Sequence, residues 1–210
     1  MTAWEVLLRC GITELPVDLA QVCRELGLGL YSYTQGYRVI QRCGLARYLH
    51  GTDGFLFREA DGPLAVVFYN PHQSQGRRCF TIAHEIAHFA LGHLGPVGRE
   101  VVRREPDGQD SPEERDADRF AAQLLAPPCV LRGLHLRHPF EIGQACRLSI
   151  QAAAVCSARM ERLLELDAQW LRERGCSYFF RSPMEWKLYQ QFEPFIRAKA
   201  PRHPDRALHQ

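Results

Sequence analysis

Residues 84–88 read His-Glu-Ile-Ala-His, and these residue types at this spacing could perform metal-assisted hydrolysis. On a helix, histidines four positions apart lie on one face, so His84 and His88 can bind one Zn²⁺ ion. Glu85 can then take a proton from a water molecule on the metal. The pattern is short enough to arise by chance, and the alternative is two core histidines beside an unrelated glutamate.

The surrounding segment has the pattern of a buried helix. From Gln75 to His93 almost no polar face surrounds the two histidines. Ser74 is a suitable N-cap, and Gly92 ends the run. Burying two histidines and a glutamate without a metal would be costly, so this helix favours the metal interpretation.

A catalytic zinc ion needs a third protein ligand and leaves one position for water. On a continuing helix, His93 lies about 500° around from His88 and points away from the metal. We expect its side chain to interact with the last carbonyls of the helix. One longer zinc motif has its third histidine six residues after the second, but that position is Leu94. The third ligand must therefore come from another element.

The segment 111–125 begins with the features of a helix start and continues as an amphipathic helix. Within it, Glu114 could bind zinc, or it could complete a capping box with Ser111. Glu113, Asp116 and Asp118 compete as ligands, and Asp118 could instead orient a histidine from one turn further on. The residues alone leave these alternatives open.

Two motifs together resemble the ImmA/IrrE family of zinc metallopeptidases. They are Phe80–His88 and, after a charged loop, Glu114–Pro127. The family pattern Glu-x-x-Ala-Asp/Asn falls on Glu114, Ala117 and Asp118, and its first glutamate binds zinc. The family often has a second glutamate where this chain has Asp116. The resemblance, which covers roughly residues 16–127, implies that Glu114 is the third ligand.

The resemblance also implies an activity and a substrate. It predicts a zinc endopeptidase acting on a protein, commonly a helix-turn-helix repressor of a phage or mobile element. The group that stabilises the oxyanion is expected among the Tyr, His or Arg residues after Pro128. One alternative is a metal-binding stress-response regulator that acts by protein contact without proteolysis. Another is a DNA-binding protein with a structural zinc, which predicts four protein ligands and no open position.

The composition is that of an ordinary globular protein of 210 residues, with 46% hydrophobic and 24% charged residues. A net charge of +2 gives no reason to expect direct nucleic-acid binding. No apolar run approaches the ~20 residues that cross a bilayer. Eight cysteines without a CxxC pair, and no visible signal peptide, predict reduced thiols in the cytoplasm. The oligomeric state is left open.

We predict an α+β fold, with a zincin-like metallopeptidase domain whose small sheet packs on the HExxH helix, and an additional helical C-terminal region. The predicted bounds are 1–134 for the catalytic domain, 135–198 for the helical region and 199–210 for a disordered tail.

The elements before the HExxH helix are a short helix at Pro16–Leu26, a strand at Gly27–Tyr33 and a hairpin at Gly54–Asn70. Arg38–His50 is ambiguous. The last strand of the hairpin should lie near the metal. Either a substrate segment binds along its edge as an added strand, or the strand serves only as part of the core. Residues 95–110 are polar and rich in glycine, which predicts an exposed connection.

The C-terminal elements are predicted helices at 129–134, 140–147, 150–166 and 182–198. The second and third superficially suggest a helix-turn-helix. We favour a role in packing against the catalytic domain over DNA reading, because no concentrated basic face accompanies them.

Overall fold

The computed structural model describes residues 1–59, 62–93 and 111–200, together with the backbone of 100–102. Its helices and strands, in chain order, are α1 (Ala3–Arg9), α2 (Leu19–Leu26), β1 (Gly29–Ser32), α3 (Tyr37–Arg42), β2 (Gly54–Arg58), β3 (Ala65–Tyr69), α4 (Gln75–Leu91), β4 (Glu100–Val102), α5 (Pro112–Leu125), α6 (Pro128–Gly133), α7 (Pro139–Cys146), α8 (Ile150–Arg174) and α9 (Pro183–Lys199). Short 3₁₀ helices lie at Ala46–Leu49 and Tyr178–Phe180.

The four described strands form one mixed sheet in the order β1-β3-β2-β4. β1 runs parallel to β3, whereas β2 is antiparallel to both β3 and β4. The predicted hairpin is confirmed as β2 and β3, and part of its predicted turn, residues 60–61, lies outside the described residues. β3 is paired on both sides, so it cannot accept an added strand, and the proposed substrate role of this last hairpin strand is wrong.

Both faces of the sheet are covered, which explains why β2 and β3 are apolar almost throughout. Leu56 and Val67 face the main core, which the helices share. Phe55 and Phe68 point to the other face, where they pack with Ile40 in a second cluster. The ambiguous segment 38–50 thus contains α3 and a 3₁₀ helix, whose role is to cover this second face.

α4 is the central helix and packs against α5 and against the β2–β3 face of the sheet. Ser74 caps its start by accepting the backbone N–H of Arg77. Gly92 ends it in the left-handed conformation, with φ of 76°, which glycine adopts without strain.

Residues 95–110, which were predicted to form an exposed connection, include a short strand, β4. Glu100–Val102 pairs with β2 from Leu56 to Arg58. Two adjacent valines carry the β-propensity, but three residues are too few to stand out within a polar, glycine-rich segment. The rest of that connection, 95–99 and 103–110, lies outside the described residues.

The helices after residue 127 agree with the predicted ones, although α8 extends to Arg174. α9 packs on α1 and α6, and α7 packs on α8. One apolar core includes Leu131 and Leu134 on one side of the predicted boundary at 134/135, and Ile142 and Met160 on the other. The domain division stays a prediction, and residues 201–210 of the predicted tail lie outside the described part.

In the described part of the chain, no helix combines the length and apolar composition that a bilayer crossing requires.

Candidate metal centre

His84 and His88 lie on one face of α4, and their side chains meet. Their Nε2 atoms are 2.9 Å apart, and the ring centroids are separated by 4.7 Å. Both histidines are buried, and His88 is only 1% exposed. The spacing of four residues brings the rings together because one helical turn separates them.

Glu114 approaches the same point from the first turn of α5. One carboxylate oxygen, Oε2, lies 3.2 Å from His84 Nε2, and the other, Oε1, lies 3.4 Å from His88 Nε2. Meanwhile the backbone N–H of Glu114 donates to the hydroxyl of Ser111 at 3.1 Å. The capping function therefore uses the backbone of Glu114, which leaves its carboxylate to face the histidines.

The donor atoms fit a bound metal ion. One atom from each of His84, His88 and Glu114 lies within 4.8 Å of the others. Glu114 Oε2 is buried without a hydrogen-bond partner, since its short contact to His84 lacks hydrogen-bonding geometry. A buried oxygen without a donor is costly, and a cation would satisfy it. Two imidazoles and one carboxylate also make up a known ligand set of catalytic zinc.

Burial acts to lower the pKa of both histidines, but their net pKa shifts have opposite directions. Burial lowers the pKa of His88 to about 3, with the charges of His84 and His93 acting in the same direction. His88 is therefore a neutral imidazole at pH 7, the form that binds metals. Burial also acts to lower the pKa of His84, but the hydrogen bond to Asp118 and the nearby carboxylates raise it above its usual value.

Asp118 lies one turn after Glu114 and contacts the outer nitrogen of His84. Its Oδ1 is 2.8 Å from His84 Nδ1. An Nδ1–H donated to a carboxylate places the proton away from Nε2, which is then free to bind a metal. This is the contact that the sequence suggested for Asp118.

Glu85 lies in α4 and is buried facing strand β2 of the sheet. Burial raises the pKa of its carboxyl group to about 8; His84 opposes this rise, Glu114 adds to it, and a hydrogen bond from the backbone N–H of Leu56 opposes it. Its Oε2 has no hydrogen-bond partner. The hydrogen bond from Leu56 thus fixes the carboxyl group of Glu85 against strand β2. The other carboxyl oxygen, Oε2, is left to take part in a reaction.

The contact between the side chains of His93 and His88 was not predicted from the sequence. The backbone N–H of His93 does donate to a carbonyl of α4, that of His88, at 3.0 Å. The contact recorded for its imidazole among the described residues is with a side chain, since Nδ1 lies 2.9 Å from Nδ1 of His88. The 500° estimate assumed a continuing helix, whereas α4 ends at Leu91 and the chain turns back at Gly92. The helix-ending glycine was the available signal.

The remaining evidence is the match to a known family. Residues 47–155, just over half of the chain, match the model of a peptidase family described as the IrrE N-terminal-like domain. The chain belongs to this IrrE N-terminal-like family. The predicted ImmA/IrrE membership and the zincin-like α+β fold are thereby confirmed. Among curated proteins, none matches the chain.

The IrrE N-terminal-like region begins near the 3₁₀ helix at Ala46–Leu49 and ends within α8. It includes all the residues that meet at the candidate metal centre. It starts later than the predicted resemblance and extends past Pro127. The family is one of metallopeptidases, and this member has three side chains close enough together to bind a metal ion.

Proposed function

We propose that this protein is a zinc-dependent endopeptidase that hydrolyses a peptide bond in a cytoplasmic protein substrate. The observation that carries the proposal is the convergence of His84, His88 and Glu114 beside the buried Glu85, in a member of a metallopeptidase family. A carboxylate next to an open metal position is the arrangement that hydrolysis requires.

His84, His88 and Glu114 are the proposed zinc ligands. Two neutral imidazoles and a carboxylate fill three positions and leave the fourth open. Zinc supplies Lewis acidity when bound, which polarises a carbonyl group and makes water more acidic. Asp118 holds the His84 ring in the tautomer that exposes Nε2 to the metal.

Glu85 is the proposed general base and acid. Without a neighbouring cation, burial holds the pKa of its carboxyl group at about 8, so a proton resides on it easily. A positive charge held by His84, His88 and Glu114 favours the ionised carboxylate, which can then take a proton from the attacking water. Glu85 next gives that proton to the amine that leaves. The N–H of Leu56 keeps one carboxylate oxygen fixed during both transfers.

The proposed substrate is a helix-turn-helix repressor of a phage or mobile element, as the resemblance to the ImmA/IrrE family implies. Cleavage would release transcription that the repressor blocks. The cytoplasm is the proposed compartment, and it suits a chain whose eight cysteines are all free thiols.

The test is the substitution Glu85→Gln, which keeps the shape of the side chain but removes its basicity. Wild type and variant are expected to bind equal amounts of zinc by elemental analysis. Cleavage of a co-expressed helix-turn-helix repressor should fall by at least about 100-fold in the variant. His88→Ala is the matched control, because it should lose both zinc and cleavage.

Three outcomes would contradict the proposal. If Glu85→Gln cleaves the repressor as fast as wild type, Glu85 is not the base. If no cleavage occurs with either protein, yet Glu85→Gln restores full regulation in cells, the protein acts as a metal-binding regulator by contact. A zinc ion with four protein ligands would instead indicate a structural site.

A further inference from the structure

The side chain of His93 packs against the buried nitrogen of His88 that faces away from Glu114. The two Nδ1 atoms are 2.9 Å apart. The rings meet edge to face, with an interplanar angle of 67° and centroids 5.0 Å apart. His88 is buried, and His93 is half-buried. The contact is therefore a hydrogen bond that is largely shielded from solvent.

The end of α4 produces this contact. The left-handed Gly92 reverses the chain, and its N–H donates to the last-turn carbonyls of His88 and Phe89. The N–H of His93 also donates to the carbonyl of His88. A side chain at Gly92 would meet no atom within 4 Å, so its role is conformational and not steric. Backbone and side chain of His93 are thus both tied to His88.

The direction of this hydrogen bond follows from what His88 does at its other nitrogen. Nε2 of His88 faces Glu114 Oε1 at 3.4 Å and His84 Nε2 at 2.9 Å. A nitrogen that binds a metal has no proton, so neutral His88 must carry its proton on Nδ1. Nδ1–H then donates to His93, whose Nδ1 accepts and whose own proton lies on Nε2.

We propose that His93 is a positioning residue of the metal centre, where it selects the tautomer and ring orientation in which His88 can bind zinc. This inference rests on the proposed function, because it assumes that His88 is a zinc ligand. His93 does for His88 what Asp118 does for His84, with a neutral acceptor in place of a carboxylate.

The experiment measures zinc affinity by competition with a chelator, independently of catalysis. His93→Leu removes the acceptor and should weaken zinc binding about 10- to 100-fold. His93→Asn should retain an affinity close to wild type, since its amide oxygen can occupy the place of Nδ1. His50→Leu is the control, because His50 is exposed and does not belong to the cluster of candidate ligands.

A second readout is the visible spectrum of the cobalt-substituted proteins, which reports the geometry around the metal. His93→Leu should shift the absorption bands, whereas His93→Asn should preserve them. Circular dichroism of the metal-free proteins checks that each variant folds. If His93→Leu does not fold, the comparison of His93→Asn with His93→Gln decides. Gln places its oxygen near the Nε2 position and should bind zinc more weakly.

The inference is overturned if wild type binds zinc and His93→Leu binds it equally well, or if the Asn and Gln variants have equal affinities. In either case the proposed peptidase would stand. A wild-type protein that binds no zinc would contradict the proposed function itself.

Discussion

At the scale of single residues, burial controls which groups are charged. Within one turn of α4 it lowers the pKa of His88 to about 3 and raises that of Glu85 to about 8. Both shifts favour the neutral form, as expected when a group leaves water. The centre thus combines a neutral imidazole with a readily protonated carboxyl group. Because His88 is neutral, its side chain does not repel a metal cation bound at this centre.

The same physics predicts a pH dependence at Cys129, away from the metal centre. Burial, aided by the charge of Glu185, raises the pKa of the Cys129 thiol to about 12. In the unfolded chain the thiol loses its proton near pH 9. Between these values the folded state binds one more proton, so stability is complete below pH 9 and falls as the pH rises towards 12.

Comparison with Cys129→Ala isolates this effect. Above pH 9, the free energy of unfolding of wild type should fall by about 1.4 kcal/mol per pH unit relative to the variant. Urea unfolding at pH 8 and at several higher pH values measures the difference. Cys176→Ala, at an exposed thiol, should follow wild type throughout. Parallel curves for wild type and Cys129→Ala would refute the prediction.

The sequence predicted the residues of the site to different degrees. His84, Glu85 and His88 come from a single helix, where periodicity alone fixes their faces. Glu114 comes from a distant segment, so the residues alone did not distinguish a zinc ligand from a capping-box residue. The resemblance to the ImmA/IrrE family then favoured the zinc ligand. In the structure the carboxylate of Glu114 faces the two histidines, and only its backbone N–H takes part in the cap at Ser111. The position of the His93 side chain depends on the path of the chain after Gly92, and helical periodicity does not describe that path.

At the scale of elements, α4 is held at its start by a close contact with the corner between α7 and α8. A Cβ atom on Gly76 would lie 2.5 Å from the backbone nitrogen of Ser149 and 2.9 Å from the carbonyl carbon of Leu148. Both are backbone atoms, which cannot rotate away. The corner that superficially resembled a helix-turn-helix therefore packs directly on the helix that carries the histidines.

This contact predicts that Gly76→Ala separates α4 from the corner. Overpacking should lower the free energy of unfolding by about 1–3 kcal/mol, measured by urea denaturation. Gly143→Ala in α7 is the control, because its Cβ would lie at an ordinary 3.5 Å from its neighbours. That substitution should be neutral or stabilise by up to about 1 kcal/mol through helix propensity. Equal effects of the two substitutions would show that the close approach is not what matters at Gly76.

Long elements with clear periodicity were predictable from the sequence, whereas short ones were not. α4, α5 and α9 have apolar stripes over at least three turns and recognisable caps, and their bounds agree with the prediction to within two residues. β4 and α3 are too short for a period to be visible. Their structure comes from partners elsewhere in the chain, β2 for the strand and the second apolar cluster for the helix.

At the scale of the whole molecule, the C-terminal helix is joined to the N-terminal one. Gln191 in α9 donates from Nε2 to the carbonyl of Leu7 at 3.0 Å and to that of Ile12 at 2.6 Å. α1, which contains Leu7, also packs against α5, the helix of Glu114. A continuous chain of contacts therefore leads from the last described helix to the candidate metal centre.

The Gln191→Ala substitution tests whether this chain of contacts makes the molecule one cooperative unit. Loss of the donor leaves the carbonyl of Ile12 without this partner, and the free energy of unfolding should fall by about 1–3 kcal/mol. Gln190→Ala, at the adjacent exposed position, should change it by less than about 0.5 kcal/mol. Hydrogen exchange should show α4 and α9 losing protection together in Gln191→Ala, because both pack into the same apolar core. If α9 alone loses protection while α4 keeps the wild-type value, the region 135–198 unfolds independently, as a separate domain would.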